Sequence, residues 1–363
     1  MRILHFNYIP RLSGAESLAV ALATEHASQG HAVALASLAP AESSFAPLRT
    51  GLQEMAVPCL FPSAALQRFR RARWVQTVCR DFKPDVVLAH SVIPSAYVRT
   101  ALLGRPSLAV VSVLHSSSED DYEHPFFGAT ECLLKRRAAA IVTVTERAAR
   151  NYAARFGTRS RIVTIPNGID LDRFRFDVVA RERCRAELGA RPTDRVILQA
   201  GRFGPVKDQA ATIRAFQQLV RRGECVHLWL AGIEEDMAYV TDVRNLCTAL
   251  KLADRIRFLG PRRDMPALLA AADLFVMPSR QEAHSVAMLE ALVSGIPIVA
   301  SNIQPFVFAA AQPEVTLTET TDDVVFAGAL MDACRAPRAV RPVDGYSIKR
   351  TAAKYMSLLE QVS

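Results

Sequence analysis

No apolar run in this sequence approaches the roughly 18 residues a membrane-spanning helix needs. No tract is low in complexity, and none repeats at short period. Cys-x-x-Cys is absent: the seven cysteines, at 59, 79, 132, 184, 225, 247 and 334, are odd in number and scattered. Neither a disulfide framework nor a zinc ligand set is indicated, so a reducing cytoplasm is the expected compartment. The opening Met1-Arg2-Ile3-Leu4-His5-Phe6 lacks the long apolar stretch of a secretory leader and reads as a first strand. No Gly-x-Gly-x-x-Gly follows it, which argues against a Rossmann dehydrogenase.

What is present fits a globular protein of two domains. The chain has 363 residues, half of them hydrophobic and 22% charged, enough for two cores. The net charge of +8 is uneven. Residues 1–165 carry 19 Lys/Arg against 12 Asp/Glu, whereas residues 166–363 carry 25 against 24. A basic first half suits phosphate groups, a lipid headgroup surface or nucleic acid, and equally reflects an arginine-rich proteome.

Short apolar runs alternate with helix-period segments, the pattern of parallel sheets built from βαβ units. Strands are expected at Arg2–Asn7, Ala32–Leu38, Asp85–His90, Leu108–Leu114, Ala140–Thr145 and Arg161–Ile165. In the second half they are expected at Val196–Ala200, His227–Ala231, Ile256–Leu259, Leu274–Met277 and Ile296–Ala300. This gives a first domain over 1–165, a charged linker over 166–193, a second domain over 194–345, and a terminal helix within 346–363 that returns to the first domain. Open parallel sheets bind ligands beyond the carboxyl ends of their strands, so two such domains imply a shared cleft.

Two loops of the second half carry the chemistry. Ala200-Gly201-Arg202-Phe203-Gly204-Pro205-Val206-Lys207-Asp208 leaves a strand and opens a helix. Arg202 as a planar fork and Lys207 as a point charge suit a diphosphate, and helix N-terminal amides reinforce that preference. The same loop also reads as an ordinary surface connection with two cations. Further on, Glu282 falls on a loop after the strand Leu274–Met277, and Ser285 reads as the N-cap of a helix that contains Glu290 and ends at Gly295. A loop carboxylate suits a sugar hydroxyl, and a helix carboxylate suits the two hydroxyls of a ribose. The Asp170-Leu171-Asp172 triplet sits in the linker turn and is discounted as a metal motif. The helix opening at Arg68-Phe69-Arg70-Arg71 reads either as an amphipathic membrane-surface helix or as a sheet-packed helix with a basic outer face.

In order, Gly201-Arg202…Lys207, Phe258-Leu259-Gly260, Met277-Pro278-Ser279, Glu282…Glu290 and Gly295-Ile296-Pro297-Ile298-Val299 resemble the retaining GT-B glycosyltransferases of family four. Ile165-Pro166-Asn167-Gly168-Ile169-Asp170 matches as well, and the resemblance covers roughly residues 1–300. It implies an α/β GT-B fold of two doubly wound Rossmann-like domains facing a central cleft. It implies transfer of a sugar from a nucleotide diphosphate donor to an acceptor hydroxyl, with neither metal nor cofactor. Carried over, Arg202 and Lys207 hold the phosphates, Glu290 the ribose, and Glu282 approaches the transferred sugar. Gly14 matches the family's glycine loop, with Ser13 in place of a second glycine, and His115 matches a histidine that contacts the sugar. Ser285 is placed on the donor side, and His284, a departure from the family, either adds a hydrogen bond to the donor or fills space. The sequence departs from the family in having Ala283-His284-Ser285 after the first glutamate, where Gly-Phe-Gly is usual, so the sugar is not carried over. Expected partners are the nucleotide sugar, a glycan or lipid-linked acceptor in polysaccharide or glycolipid synthesis, and an anionic inner-membrane surface, with no nucleic acid. The rival readings are a nucleotide-sugar hydrolase or epimerase and a non-catalytic binding protein.

Overall fold

The computed structural model describes residues 1–116, 122 and 125–363. Most of the acidic run Glu119–Glu123 lies outside the described residues. The chain divides into two compact units. The first comprises Met1–Asp170, Ala283–Ser285 and Tyr346–Ser363, and the second Leu171–Glu282 and Val286–Gly345.

The described strands of the first unit are β1 (Arg2–Asn7), β2 (Ala32–Ser37), β3 (Cys59–Leu60), β4 (Val86–His90), β5 (Ala109–Leu114), β6 (Ala140–Thr143) and β7 (Ile162–Thr164). They pair in parallel in the order β3-β2-β1-β4-β5-β6-β7. Helices α1 (Gly14–Ser28), α2 (Ala46–Glu54), α3 (Arg68–Phe82), α4 (Val92–Ala101), α5 (Pro125–Leu134) and α6 (Glu146–Phe156) connect them. Helices on both faces bury the central strands entirely, which is why β4 and β5 are mostly apolar, with only His90 and Ser112 polar. The two-residue alternation then sorts the side chains. Ile3, Leu88, Val111 and Val113 face a core shared with Leu18 and Leu22 of α1, while Leu4, Phe6, Val87 and Val110 face α3 and α4.

The second unit begins with α7 (Val178–Glu187) and holds β8 (Arg195–Ala200), β9 (Val226–Ala231), β10 (Ile256–Gly260), β11 (Leu274–Met277), β12 (Ile298–Ser301) and β13 (Val315–Thr318). Their parallel order is β10-β9-β8-β11-β12-β13, with α8 (Gln209–Arg221), α9 (Met237–Ala249), α10 (Met265–Ala271), α11 (Val286–Ser294) and α12 (Asp323–Ala333) between them. Both sheets reverse direction beside their first strand, between β1 and β4 and between β8 and β11. These are the two topological switch points.

The expected linker needs correction. The units divide between Asp170 and Leu171, so most of the stretch read as linker belongs to the second unit, and α7 forms within it. Its arginines are not solvent decoration. Arg181 donates to the carbonyls of Ala270, Ala271 and Ala272 and to Asp273, and Arg185 donates to Ala271. They satisfy carbonyls that the end of α10 leaves without helical partners.

The last helix, α13 (Ile348–Val362), belongs to the first unit and buries Ile348, Ala352, Tyr355 and Leu359 in the core that α1 shares. It starts against Gly168: the Ile169 amide donates to Tyr346 O and the Ile348 amide to Ile169 O, both at 2.8 Å. A Cβ at Gly168 would lie 2.5 Å from Thr351 Oγ1 and 2.9 Å from Ile348 Cα, so only glycine fits.

Candidate active site

At the switch point of the second sheet, the loop after β8 and the loop after β11 are joined by Lys207 Nζ donating to Glu282 Oε1. Ser279 Oγ donates to the same carboxylate oxygen at 3.0 Å. The Lys207 stem lies over Gly201, whose missing side chain leaves Lys207 Cγ and Cδ 3.5 Å from the position a Cβ would take. Gly201 in turn is reached by β9: a Cβ at Gly232 would fall 1.9 Å from Gly201 O. Backbone packing of this kind fixes the loop before any side chain is considered.

Helix α8 opens behind Lys207. Asp208, at φ +46°, caps it by accepting from the Ala211 amide, and its second oxygen accepts from Arg280 Nε at 2.8 Å. Arg202 behaves differently. Its side chain is half exposed and donates to Glu235 Oε2 at 3.0 Å, so the two cations are held by separate carboxylates.

Helix α11 starts at Val286, directly after buried Ser285, and Gly295 at φ +73° closes it in the left-handed conformation that glycine adopts freely. Glu290 lies within it. Burial pushes the Glu290 carboxyl up to about 7, against the opposing pull of the Arg173 charge. Burial also lowers the His284 imidazole to about 4.

In the first unit, Gly14 is the first residue of α1, after Ser13, whose hydroxyl donates to Glu16. His115 follows β5 at its carboxyl end, and burial holds its ring near 4. Sequence reasoning missed three residues beside these. Asn7 ends β1 almost wholly buried, with neither amide atom hydrogen-bonded. His5 on β1 and His90 on β4 are buried and linked to His115. The signal was available: each histidine stands two residues beyond a core-facing apolar residue, Ile3, Leu88 and Val113, so all three share one face of the sheet.

Arg71 of the basic helix α3 lies over the rings of Tyr8 and Tyr97, while Val75, Val78 and Cys79 pack into the core and Phe69 remains exposed. All seven cysteines are free. Among the described residues no helix is long and apolar enough to cross a membrane, and no group of three or more His, Cys, Asp or Glu is placed to hold a metal.

Known proteins share this arrangement. The model of Glycosyltransferase Family 4 matches residues 12–173, and that of Glycosyl transferases group 1 matches residues 180–337. The chain is 30% identical over 191 residues to the 2-deoxystreptamine glucosyltransferase of Streptomyces kanamyceticus, covering 52% of this chain and 49% of that protein. It is 33% identical over 162 residues to a GDP-mannose-dependent alpha-(1-6)-phosphatidylinositol monomannoside mannosyltransferase of Mycobacterium tuberculosis, covering 42% and 40%. The matches therefore span half or less of these relatives' length. The crystal structure of HepE from Anabaena with UDP and glucose superposes at a TM-score of 0.80 and 20% identity, covering 100% of this chain and 98% of that one. WaaG, a glycosyltransferase involved in lipopolysaccharide biosynthesis, superposes at 0.70 and 18% identity, covering 99% and 98%. With two family models matching in tandem and two sheets of this topology, the chain belongs to the group 1 glycosyltransferases of the GT-B fold.

Proposed function

We propose that this chain transfers a sugar from a nucleotide diphosphate donor to an acceptor hydroxyl, with retained stereochemistry and without a metal. The observation that carries this reading is the Lys207–Glu282 pair at the switch point between β8 and β11. One member is a cation suited to a leaving diphosphate, and the other is a carboxylate suited to a sugar hydroxyl.

The chemistry follows from charge. As the bond from the sugar C1 to the phosphate oxygen breaks, negative charge grows on that oxygen. Lys207 and Arg202 stabilise it together with the amides that open α11, and fixed donors of this kind act without reorganising. Arg202 first exchanges Glu235 for phosphate. The exchange costs little, because an exposed ion pair is worth about 0–1 kcal/mol. The acceptor oxygen then bonds to C1 on the face the phosphate leaves, and the departing phosphate oxygen takes the acceptor's proton. No enzymic nucleophile is required in this scheme.

Glu290 holds the ribose hydroxyls. The second unit offers Glu282 to the sugar; the first offers His115 to a sugar hydroxyl, His284 and Ser285 to the donor, and the Gly14 loop to phosphate or acceptor. The acceptor is a glycan or lipid-linked hydroxyl. The exposed Arg68, Phe69, Arg70 and Arg73 of α3 suit an anionic membrane surface.

A thermal-shift screen against UDP, GDP, ADP and dTDP and their hexose conjugates tests donor recognition: at least one nucleoside diphosphate should raise the melting temperature. Proton NMR of the product anomer tests retention. An inverted anomer would refute the stereochemical part. Turnover as fast without acceptor as with it would favour a hydrolase.

A further inference from the structure

Four of the eight histidines form a row through the core of the first unit. His26 of α1 meets His5 through Nδ1 and Nε2 at 3.3 Å. His5 Nδ1 meets His90 Nε2 at 3.0 Å, and His90 Nδ1 meets His115 Nε2 at 3.1 Å. The last two pairs have ring centroids 5.3 Å apart and planes 10° and 18° from parallel, a spacing that suits imidazoles joined edge to edge. The nitrogens meet pairwise and do not converge on one point, so the row is not a metal cage.

Burial lowers the affinity of every ring for a second proton: His26 and His115 fall to about 4, and His5 and His90 well below their ordinary value. All four are therefore neutral near pH 7. A neutral imidazole donates from one nitrogen and accepts at the other, so each ring dictates the tautomer of the next. The row has only two self-consistent states, one with every proton on Nε2 and one with every proton on Nδ1.

The ends choose between them. At the inner end, His26 Nε2 is buried without a regular hydrogen bond, and the backbone of Ala352 in α13 favours a proton on this ring. At the outer end, His115 Nδ1 is buried and meets no partner among the described residues. With every proton on Nδ1, His26 would forgo the influence of the Ala352 backbone and His115 would bury an N–H with no acceptor among the described residues. Buried N–H groups are left unpaired less often than acceptors.

We propose that α13 and the row His26–His5–His90 act as a positioning device that locks His115 in its Nε2–H tautomer, leaving Nδ1 as a bare acceptor at the carboxyl end of β5. What that acceptor serves rests on the reading of the chain as a glycosyltransferase. A neutral ring whose one proton points inward receives a hydrogen bond from a hydroxyl of the sugar and donates none. His5, His26 and His90 are positioning residues, since each acts through His115.

The test is nitrogen-15 long-range correlation NMR of the full-length, ligand-free chain with labelled histidine, near neutral pH. His115 should show a protonated Nε2 and an unprotonated Nδ1. His26→Phe should leave His115 a mixture of tautomers. His26→Asn, whose Oδ1 replaces the accepting Nδ1, should restore the single form, a rescue that a purely space-filling role would not give. A protonated Nδ1 or a charged ring in the wild-type chain would overturn the proposal without any variant having to fold. So would an unchanged tautomer in folded His26→Phe. Because no ligand is present, failure of every nucleotide to bind would defeat the transferase reading and leave this result intact.

Discussion

The two units repeat one strand order yet equip their switch points with opposite chemistry. Beside β1 and β4 the histidines are buried, neutral and mutually bonded: His5, His90 and, next to them, His115. Beside β8 and β11 they are ion pairs, Lys207 with Glu282 and Arg280 with Asp208, and the loop's other cation, Arg202, reaches into solvent. A sheet of this topology fixes where a ligand is met and not how. Neutral acceptors suit hydroxyls and cations suit phosphate, so one scaffold used twice offers two different chemistries at its switch points.

The largest way to break that contrast is to remove the charge on the second side. Lys207→Ala should lower the transfer rate by about a hundredfold or more, since losing one donor to a developing oxyanion costs roughly 3–4 kcal/mol. Steady-state kinetics should place the loss in kcat. Arg202→Ala should cost less, about tenfold, because an exposed arm is screened.

Acidity sharpens the comparison, because the two sides respond with opposite sign. An unfolded histidine titrates near 6.5, whereas His26 and His115 titrate near 4 when folded. As pH falls below 6.5 the unfolded chain takes up protons first, so stability present above 6.5 is lost toward pH 4. Glu290 is raised from 4.5 to about 7. Its contribution is full below 4.5 and is lost as pH rises through 7. Hydrogen exchange on the whole chain at about pH 5 and pH 7, corrected for intrinsic rates, should show the β1–β4–β5 region opening more readily at the lower pH and the α11 region less readily. Parallel responses would remove the distinction.

The same carboxyl predicts pH-dependent binding. Ribose hydroxyls bond more strongly to an ionised carboxylate than to the acid, so nucleotide affinity should rise from about pH 6 to pH 8, and Glu290→Gln should flatten the profile. The smallest expected effect is that of Glu235→Gln. It frees Arg202 from a partly exposed pair and should lower the donor KM by a few-fold at most, within the roughly 1 kcal/mol such pairs are worth.

Much of this was legible in the sequence, and the failures have physical causes. The central strands are buried on both faces and announce themselves as apolar runs; β1 and β11 fall on their expected residues. The edges do not. β3 has two residues and β13 is only partly buried, so neither carries a periodic signal. α12 escaped because Asp323–Ala333 is apolar on nearly every side and shows no stripe. α7 was mistaken for linker because Arg181 and Arg185 look like solvated charge until the carbonyls of α10 are in place to receive them. Of the candidate site, Lys207 and Glu282 were found separately, but their pairing needs the fold. His5 and His90 were overlooked although the two-residue spacing from Ile3 and Leu88 puts each on a core-facing side; that their rings meet needs the strand register.

The central claim is that the loop holding Lys207 receives a nucleoside diphosphate. Isothermal calorimetry of UDP and GDP with the wild-type chain and with Lys207→Ala tests it most directly. The account predicts uptake of at least one of them by the wild-type chain, weakened about tenfold or more in the variant, as loss of a charge-assisted contact requires. Binding of equal strength to both chains, or none to either, would contradict it.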